Sequence, residues 1–429
     1  MFTNDEITIR FKTEVTENFL AEMYAHMRAI GVKCPIAGTN WSAQTHALAK
    51  AHQGMDYTDI HPYFNVDGWS AKWAANERIV KSKNITATRS VIPWHAKMAI
   101  AGMPLFMSEW DVTWPNNYRA EGPIYYAAIG ALQGWGGACI HTYAYTSHLH
   151  TMDVLGKELS SPVAGKAYRE GIYTVWNDPA KYGLFYHSAL ITRRGDVSPA
   201  NKRIAVQPHD PTLVKAPTTP FADGLEQHRI RMHFGSEKPE GYDEMVLDNE
   251  HIPHPDPKVI MSDNGQMWRD PVKEIGAVDT ERTKCFYGML GKGFTDGSVK
   301  PYGRPVHKMN GLEIECATDF GVIALSSLTN DSIEQSDNIL LSAIGRARNT
   351  DMVFDGDKLL DFGKPPIMAE VIDSIVRIKN VHGTAMKVWG VNAEGFYSGM
   401  LPTTYEDGWL SFRIGDENNP ACYYLIVKE

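Results

Sequence analysis

Met103-Pro104-Leu105-Phe106-Met107-Ser108-Glu109-Trp110-Asp111 is an apolar run that closes on a carboxylate. Such a run suits a strand buried on both faces, as in a parallel sheet. The acid at its end gains nothing from a core and needs partners there. Working outward, Ser90 to Ile100 and Glu121 to Gln133 read as the flanking helices, and Met55 to Phe64 and Gly137 to Tyr145 as the neighbouring strands. A loop with Trp69 and Trp73 separates the first strand from its helix. Farther out, Phe11, Val15, Phe19, Met23, Met27 and Ile30 recur every three or four residues, which predicts one buried stripe of an amphipathic helix ended by Gly31. A strand from Val32 to Trp41 and a helix around Ala43 to His52 complete the series. Strands each separated by a helix imply parallel pairing with right-handed crossovers.

After a last helical stretch between Asp178 and Arg194 the texture changes. Residues 207–257 are rich in Pro, His and charge and read as long loops with little regular structure. Beyond Lys258, short β-type runs alternate with Gly, Asp and Asn turns, which predicts an antiparallel β-sandwich. Leu312 to Ala317 and Val322 to Leu325 read as a hairpin around Thr318-Asp319-Phe320-Gly321, and Ala369 to Lys379, Ala385 to Val391 and Cys422 to Lys428 as further strands. The 429 residues therefore divide into an α/β part, 1–193, and an all-β part, 194–429.

Composition narrows the function. A net charge of −9 leaves no basic stripe for a phosphate backbone, so nucleic acid is not an expected partner. No apolar run reaches the ~20 residues that cross a bilayer, and the first residues lack a signal-peptide pattern, so the chain reads as soluble, and as cytoplasmic if Met1 is its native start. Five widely spaced cysteines give neither a disulfide framework nor a zinc knuckle. Cys139, in an apolar strand, reads as a packed thiol.

Chemistry in a β/α barrel sits at the C-terminal strand ends. Here these carry Asn40-Trp41, Asp59-Ile60-His61-Pro62-Tyr63, Ser108-Glu109-Trp110-Asp111 and His141-Thr142-Tyr143-Ala144-Tyr145. Carboxylates ringed by aromatics suit sugars, whose C–H faces stack on indole and phenol rings while their hydroxyls bond to acids and amides. Glu109 reads either as a nucleophile held by Tyr63 or as a salt-bridged structural carboxylate. Asp111 could bond a sugar hydroxyl or cap the next loop. Asp56 reads as a structural pair and Asp59 as a site residue. His148, His150 and Asp153 have the look of a metal cluster, yet loop polarity at a barrel mouth is the commoner explanation, and no metal or organic cofactor is expected.

Pro104-Leu105-Phe106-Met107-Ser108-Glu109-Trp110 resembles the seventh barrel strand of the clan-A glycoside hydrolases, the retaining (β/α)8 enzymes that include the family-five cellulases. His61-Pro62-Tyr63, Pro35 to Asn40, Pro115 to Pro123, Trp176 to Pro179 and Arg193 to Val197 are similar to the same group, in order. The resemblance implies strands five to eight of a barrel, a half barrel, with an appended β-sandwich. It implies Glu109 as nucleophile, with His61 and Tyr63 lining the site. Asn40, Trp41, Asp59, Trp110, Trp114, Tyr143 and Tyr145 would bind a β-glucan. The family places its acid/base glutamate at the end of strand four, which has no counterpart here. Asp5 and Glu6 offer only a superficial substitute and read as a solvated charge cluster. A half barrel exposes two sheet edges. A homodimer, or a separate polypeptide, is therefore expected to complete the ring and supply the acid.

Overall fold

The computed structural model describes residues 5–40, 45–64, 79, 81–88, 91, 95–143, 173, 175, 177–215, 218, 220–253, 258–292, 303–392 and 394–429. Helix α1 (Glu6–Ala29) starts at Asp5, whose carboxylate accepts the Thr8 N–H at 3.0 Å. Glu6 pairs with Arg10 one turn on, so both N-terminal acids serve the helix. A short α2 (His46–Lys50) precedes β1 (Thr58–Ile60) and β2 (Tyr63–Phe64), which line up on one neighbour, β3 (Leu105–Val112). Helix α3 (Glu121–Gln133) then leads to β4 (Gly137–Ile140) on the other side of β3. All three pairings are parallel, and Ala37 adds a parallel bridge to Tyr57. The expected strand from Val32 to Trp41 reduces to this single bridge among the described residues, while the segments at 58–64, 105–112 and 137–140 lie side by side in chain order with parallel pairing, as predicted.

Several expectations are corrected. The Ser90 to Ile100 helix shrinks, within the described residues, to a single 3-10 turn at His95–Met98. The apolar stripe of α1 is not buried: Phe11 is 61% exposed and Ile30 66%, and Ile7, Val15, Phe19 and Met23 are exposed with them. The side of α1 that packs inward carries Leu20, with Tyr24 and Arg28 bonded to Asp56. Asp56 also accepts the Ile36 N–H at 2.7 Å, so it joins helix to strand entry as the structural reading anticipates. Cys139 is exposed, not packed.

Residues 207–257 are not featureless loops. Three parallel strands, β5 (Arg203–Gln207), β6 (Arg229–Met232) and β7 (Glu244–Leu247), form a second sheet with β5 in the middle. Ile204, Val206, Ile230 and Met232 enter the same core as Leu105, Met107, Ile124 and Ile129. The change of architecture therefore falls after this sheet, not at residue 194. The short apolar stretches, only four or five residues each, are hidden among polar neighbours.

Two antiparallel sheets follow, of nine and five strands, facing each other across a core that includes Phe286, Ile323, Leu341, Ile314, Val376 and Phe412. The hairpin reading fails here. Leu312–Cys316 belongs to the five-stranded sheet and Gly321–Ser327 to the nine-stranded one, so the chain crosses between layers. Phe320 in the crossing is buried in the α/β core, edge-on to Tyr118 at 5.0 Å. The nine-stranded sheet is covered on both faces: Cys285, Tyr287, Val322 and Ala324 face the α/β core while Phe286, Ile323 and Leu325 face the other sheet. That is why Thr283–Gly288 and Gly321–Ser327 are buried at every position.

Helices α4 (Pro179–Tyr182) and α5 (Phe185–Ala189) join the two parts. His187 of α5 is fully buried, with Nδ1 2.8 Å from Ser326 Oγ and Nε2 2.9 Å from Ser342 Oγ on adjacent strands. Burial pushes its pKa down to about 3. The unfolded chain takes up this proton near ~6.5 and the native state does not, so the stability it lends is complete above ~6.5 and is lost as pH falls toward 3. Between pH 7.5 and 4.5 wild type should lose about 2–3 kcal/mol more unfolding free energy than His187→Gln, read from urea melts at both values. Equal losses in the two proteins would refute the linkage.

Candidate active site

The strand register sets the geometry of Glu109. Ile60 pairs with Met107 and Tyr63 with Asp111, so β3 spends four steps where its neighbour spends three. On the other side Met107 pairs with Ala138 and Trp110 with Ile140, three steps against two. One extra residue therefore lies between Met107 and Trp110, a β-bulge at Ser108-Glu109. Leu105, Met107, Trp110 and Val112 all reach the α3-side core, and the spacing of three between Met107 and Trp110 shows where the strand switches phase. A bulge frees backbone groups from the ladder. Asp59 Oδ1 accepts the Ser108 N–H at 2.9 Å, and His61 Nε2 lies 2.8 Å from Ser108 Oγ.

Glu109 stands on this bulge with its side chain 29% exposed. The Tyr63 hydroxyl donates to Oε2, His61 Nδ1 is 3.2 Å from the same oxygen, and His141 Nδ1 is 3.6 Å from Oε1. Burial, then the bond to Glu109, push the Tyr63 phenol well up, so it stays a protonated donor at any working pH. Burial lowers the His141 pKa; Glu109 opposes this and His61 adds to it. Tyr173 closes the aromatic wall, its ring centroid 5.4 Å from Tyr63 and 5.0 Å from His141. The arrangement presents one carboxylate, oriented by a phenol and two imidazoles and open to solvent on one side.

A buried charge network anchors the strand beyond the bulge. Lys181 of α4 donates to Asp111 Oδ1 at 2.6 Å, and Arg119 grips Asp178 through two bonds of 2.8 and 2.9 Å. Lys181, Asp111 and Asp178 side chains are fully buried and Arg119 nearly so. Asp111 is thus neither a sugar ligand nor a loop cap. The segment carrying Glu109 is fixed at Ser108 by Asp59 and at Asp111 by Lys181.

The structure brings together Glu109, Tyr63, His61 and Asp59 among the sequence-derived candidates. Asp59 is 8% exposed and acts on the bulge backbone. Two aromatics are corrected. Trp110 is buried against Tyr126 of α3, with ring centroids 4.8 Å apart, and Trp114 is buried and stacked on Phe362 at 5.8 Å. Neither offers a free face to a sugar, because the bulge turns Trp110 to the core and the strand Lys358–Asp361 brings Leu359 over Trp114. Asn40 is half-buried and Tyr143 is 59% exposed. Trp41, Tyr145, His148, His150, Asp153, Trp69 and Trp73 lie outside the described residues. His141 and Tyr173 were not singled out from sequence. His141 carried a signal as the residue ending its strand, whereas Tyr173 had none. Among the described residues no group of three His, Cys, Asp or Glu is arranged to hold a metal ion, and no helix is long and apolar enough to cross a membrane.

Comparisons with protein-family models, with curated proteins and with solved structures give no match.

Replacing Tyr63 by Phe removes one hydrogen bond to a charged acceptor, worth about 1.5–3 kcal/mol, or ~10- to 100-fold. If Glu109 acts as a nucleophile, the loss is expected in kcat, with KM little changed. A variant with wild-type kcat would remove Tyr63 from the reaction.

Proposed function

We propose that the chain is the nucleophile-bearing half of a retaining β-glycoside hydrolase of the clan-A type, acting on a β-linked glucan. The observation that carries the reading is the Glu109 carboxylate raised on a bulge and oriented by Tyr63, His61 and His141. In this mechanism Glu109 attacks the anomeric carbon, forms a glycosyl ester, and is released by water. Tyr63 donates to the carboxylate oxygen and orients the other for attack. Protonating the leaving oxygen requires a second carboxyl group about 5–5.5 Å away. Among the described residues Asp59 and Asp111 are the acids nearest in sequence and register, and both are committed to other contacts.

In the proposed mechanism the acid comes from another chain, a second copy or a separate polypeptide, that completes a half barrel into a ring of eight strands. Three surfaces support that assignment. The outer edge of β4 has no strand partner among the described residues. Beside it, Phe106, Trp135, Cys139 and Phe185 line an open apolar cavity of about 520 Å³, which Glu109 does not line. The exposed stripe of α1 is the third. Contiguous exposed apolar surface of this kind marks contact sites.

The test is release of reducing ends from a panel of β-glucans, xylan and mannan, with light scattering on the active species. Release with the β-anomer formed first, from an oligomer or a mixed complex, supports the reading. Full activity in a 47.9 kDa monomer would end the completion model. Calorimetric sugar binding without any release would support the second reading, a non-catalytic carbohydrate-binding or assembly protein. The commitment of Asp59 and Asp111 to structural bonds is the observation that favours that alternative.

A further inference from the structure

Arginines gather at the opposite end of α3 from Glu109, about 20 Å away along the helix. Ile230 and Met232 of β6 enter the core, so the alternation of a strand turns Arg229 and Arg231 to its other face. Arg203 of β5 is the register partner of Arg229. Arg231 is 7% exposed and its fork is already bonded: Nη2 donates to the Gln133 carbonyl at the end of α3 at 2.7 Å and Nη1 to the Ile230 carbonyl of its own strand at 2.8 Å. Arg229 lies flat on Gly134, the left-handed residue ending α3 at φ 63°, where a Cβ would come within 2.9 Å of Nη2. Tyr242 nearby is half-buried, and the three arginines act on its phenol electrostatically.

Among the described residues none of the three guanidiniums is ion-paired, although the chain as a whole is acidic. The nearby carboxylates are engaged elsewhere: Asp243 accepts the Arg203 backbone N–H at 2.7 Å, and Glu244 pairs with Lys202. Arg229 is pulled below its ordinary pKa by burial and then by Arg203. The carboxyl end of α3 supplies roughly half a negative charge against three positive ones. A stable fold gains nothing from assembling like charges without a counterion.

We propose that Arg203, Arg229 and Arg231 form a binding site for a tetrahedral oxyanion, of the phosphate class. As register partners on strands about 4.8 Å apart, Arg203 and Arg229 present their side chains on the same face of the sheet, each able to give two parallel bonds to such a group. Arg231 contributes charge from behind, since its donors are already bonded to the Gln133 and Ile230 carbonyls. The same oxyanion could arrive free or on a phosphorylated sugar. The site is independent of the Glu109 reading, being built from different strands.

Calorimetric titration of the full chain with inorganic phosphate and with glucose 6-phosphate tests the proposal at low ionic strength. Saturable binding of either, weakened about tenfold or more in both Arg203→Ala and Arg229→Ala, is the expected result. Tighter binding of glucose 6-phosphate identifies the sugar-linked source, and equal or weaker binding the free anion. Arg203 is exposed, so its variant keeps the fold and decides the matter even if Arg229→Ala does not. No saturable binding of either probe, or affinity unchanged in Arg203→Ala, overturns the site.

Discussion

Under the proposed glycosidase chemistry Glu109→Gln should lower kcat/KM on the best β-glucan substrate by ~10⁴-fold or more, because removal of a covalent nucleophile leaves only binding and electrostatic contributions. The fold should survive. Glutamine is isosteric, the side chain is partly open to solvent, and its carbonyl oxygen can still accept from the Tyr63 hydroxyl. Melting temperature should therefore stay within about 2–4 °C of wild type, a change of ~1 kcal/mol or less. Calorimetric affinity for a non-hydrolysed oligosaccharide should persist, separating loss of chemistry from loss of the site. Turnover above about one per cent of wild type in this variant would remove Glu109 as nucleophile.

Lys181→Met carries the second large effect. It deletes one partner of a pair whose side chains are both fully buried, 2.6 Å apart, and leaves the Asp111 charge without that cation. Breaking such a pair from one side costs about 3–5 kcal/mol, whereas replacing both members costs far less. Urea melts of Lys181→Met, Asp111→Asn and the double variant should then show a coupling of ~1–3 kcal/mol. Strict additivity would mean that the two groups act independently. The network also bears on the site: Asp111 lies two residues past Glu109 on the same strand, and loosening it should reduce kcat even where the protein remains folded.

The two variants probe different levels of one design. Glu109 touches the reacting atoms under the proposed chemistry. Lys181, Asp59 and Ser108 act through the backbone that carries it. A carboxylate on a flat strand end would point wherever the ladder sent it. Pinning the residues on either side of a bulge fixes its direction at the cost of burying four charged groups beneath it.

Local chemistry determined much of this molecule by itself. The 121–133 helix, closed by Gly134, is delimited by its own pattern. The strands at 58–64, 105–112 and 137–140 and their parallel order follow from apolar runs separated by helix-length segments. Glu109, His61 and Tyr63 could be named as neighbours because strand ends in such a sheet converge. What needed the tertiary structure was everything set by which layer a segment meets. The α1 periodicity marks an apolar face but does not say whether anything covers it, and Phe11 and Ile30 remain exposed. Trp110 and Trp114 are aromatic next to an acid in sequence, yet a one-residue bulge and a distant strand bury them. Leu312–Cys316 and Gly321–Ser327 look like one hairpin until burial on both faces of the nine-stranded sheet pulls them into different layers. Periodicity reports that a residue is apolar at a given spacing; the partner that excludes water from it is chosen by contacts between residues far apart in the chain.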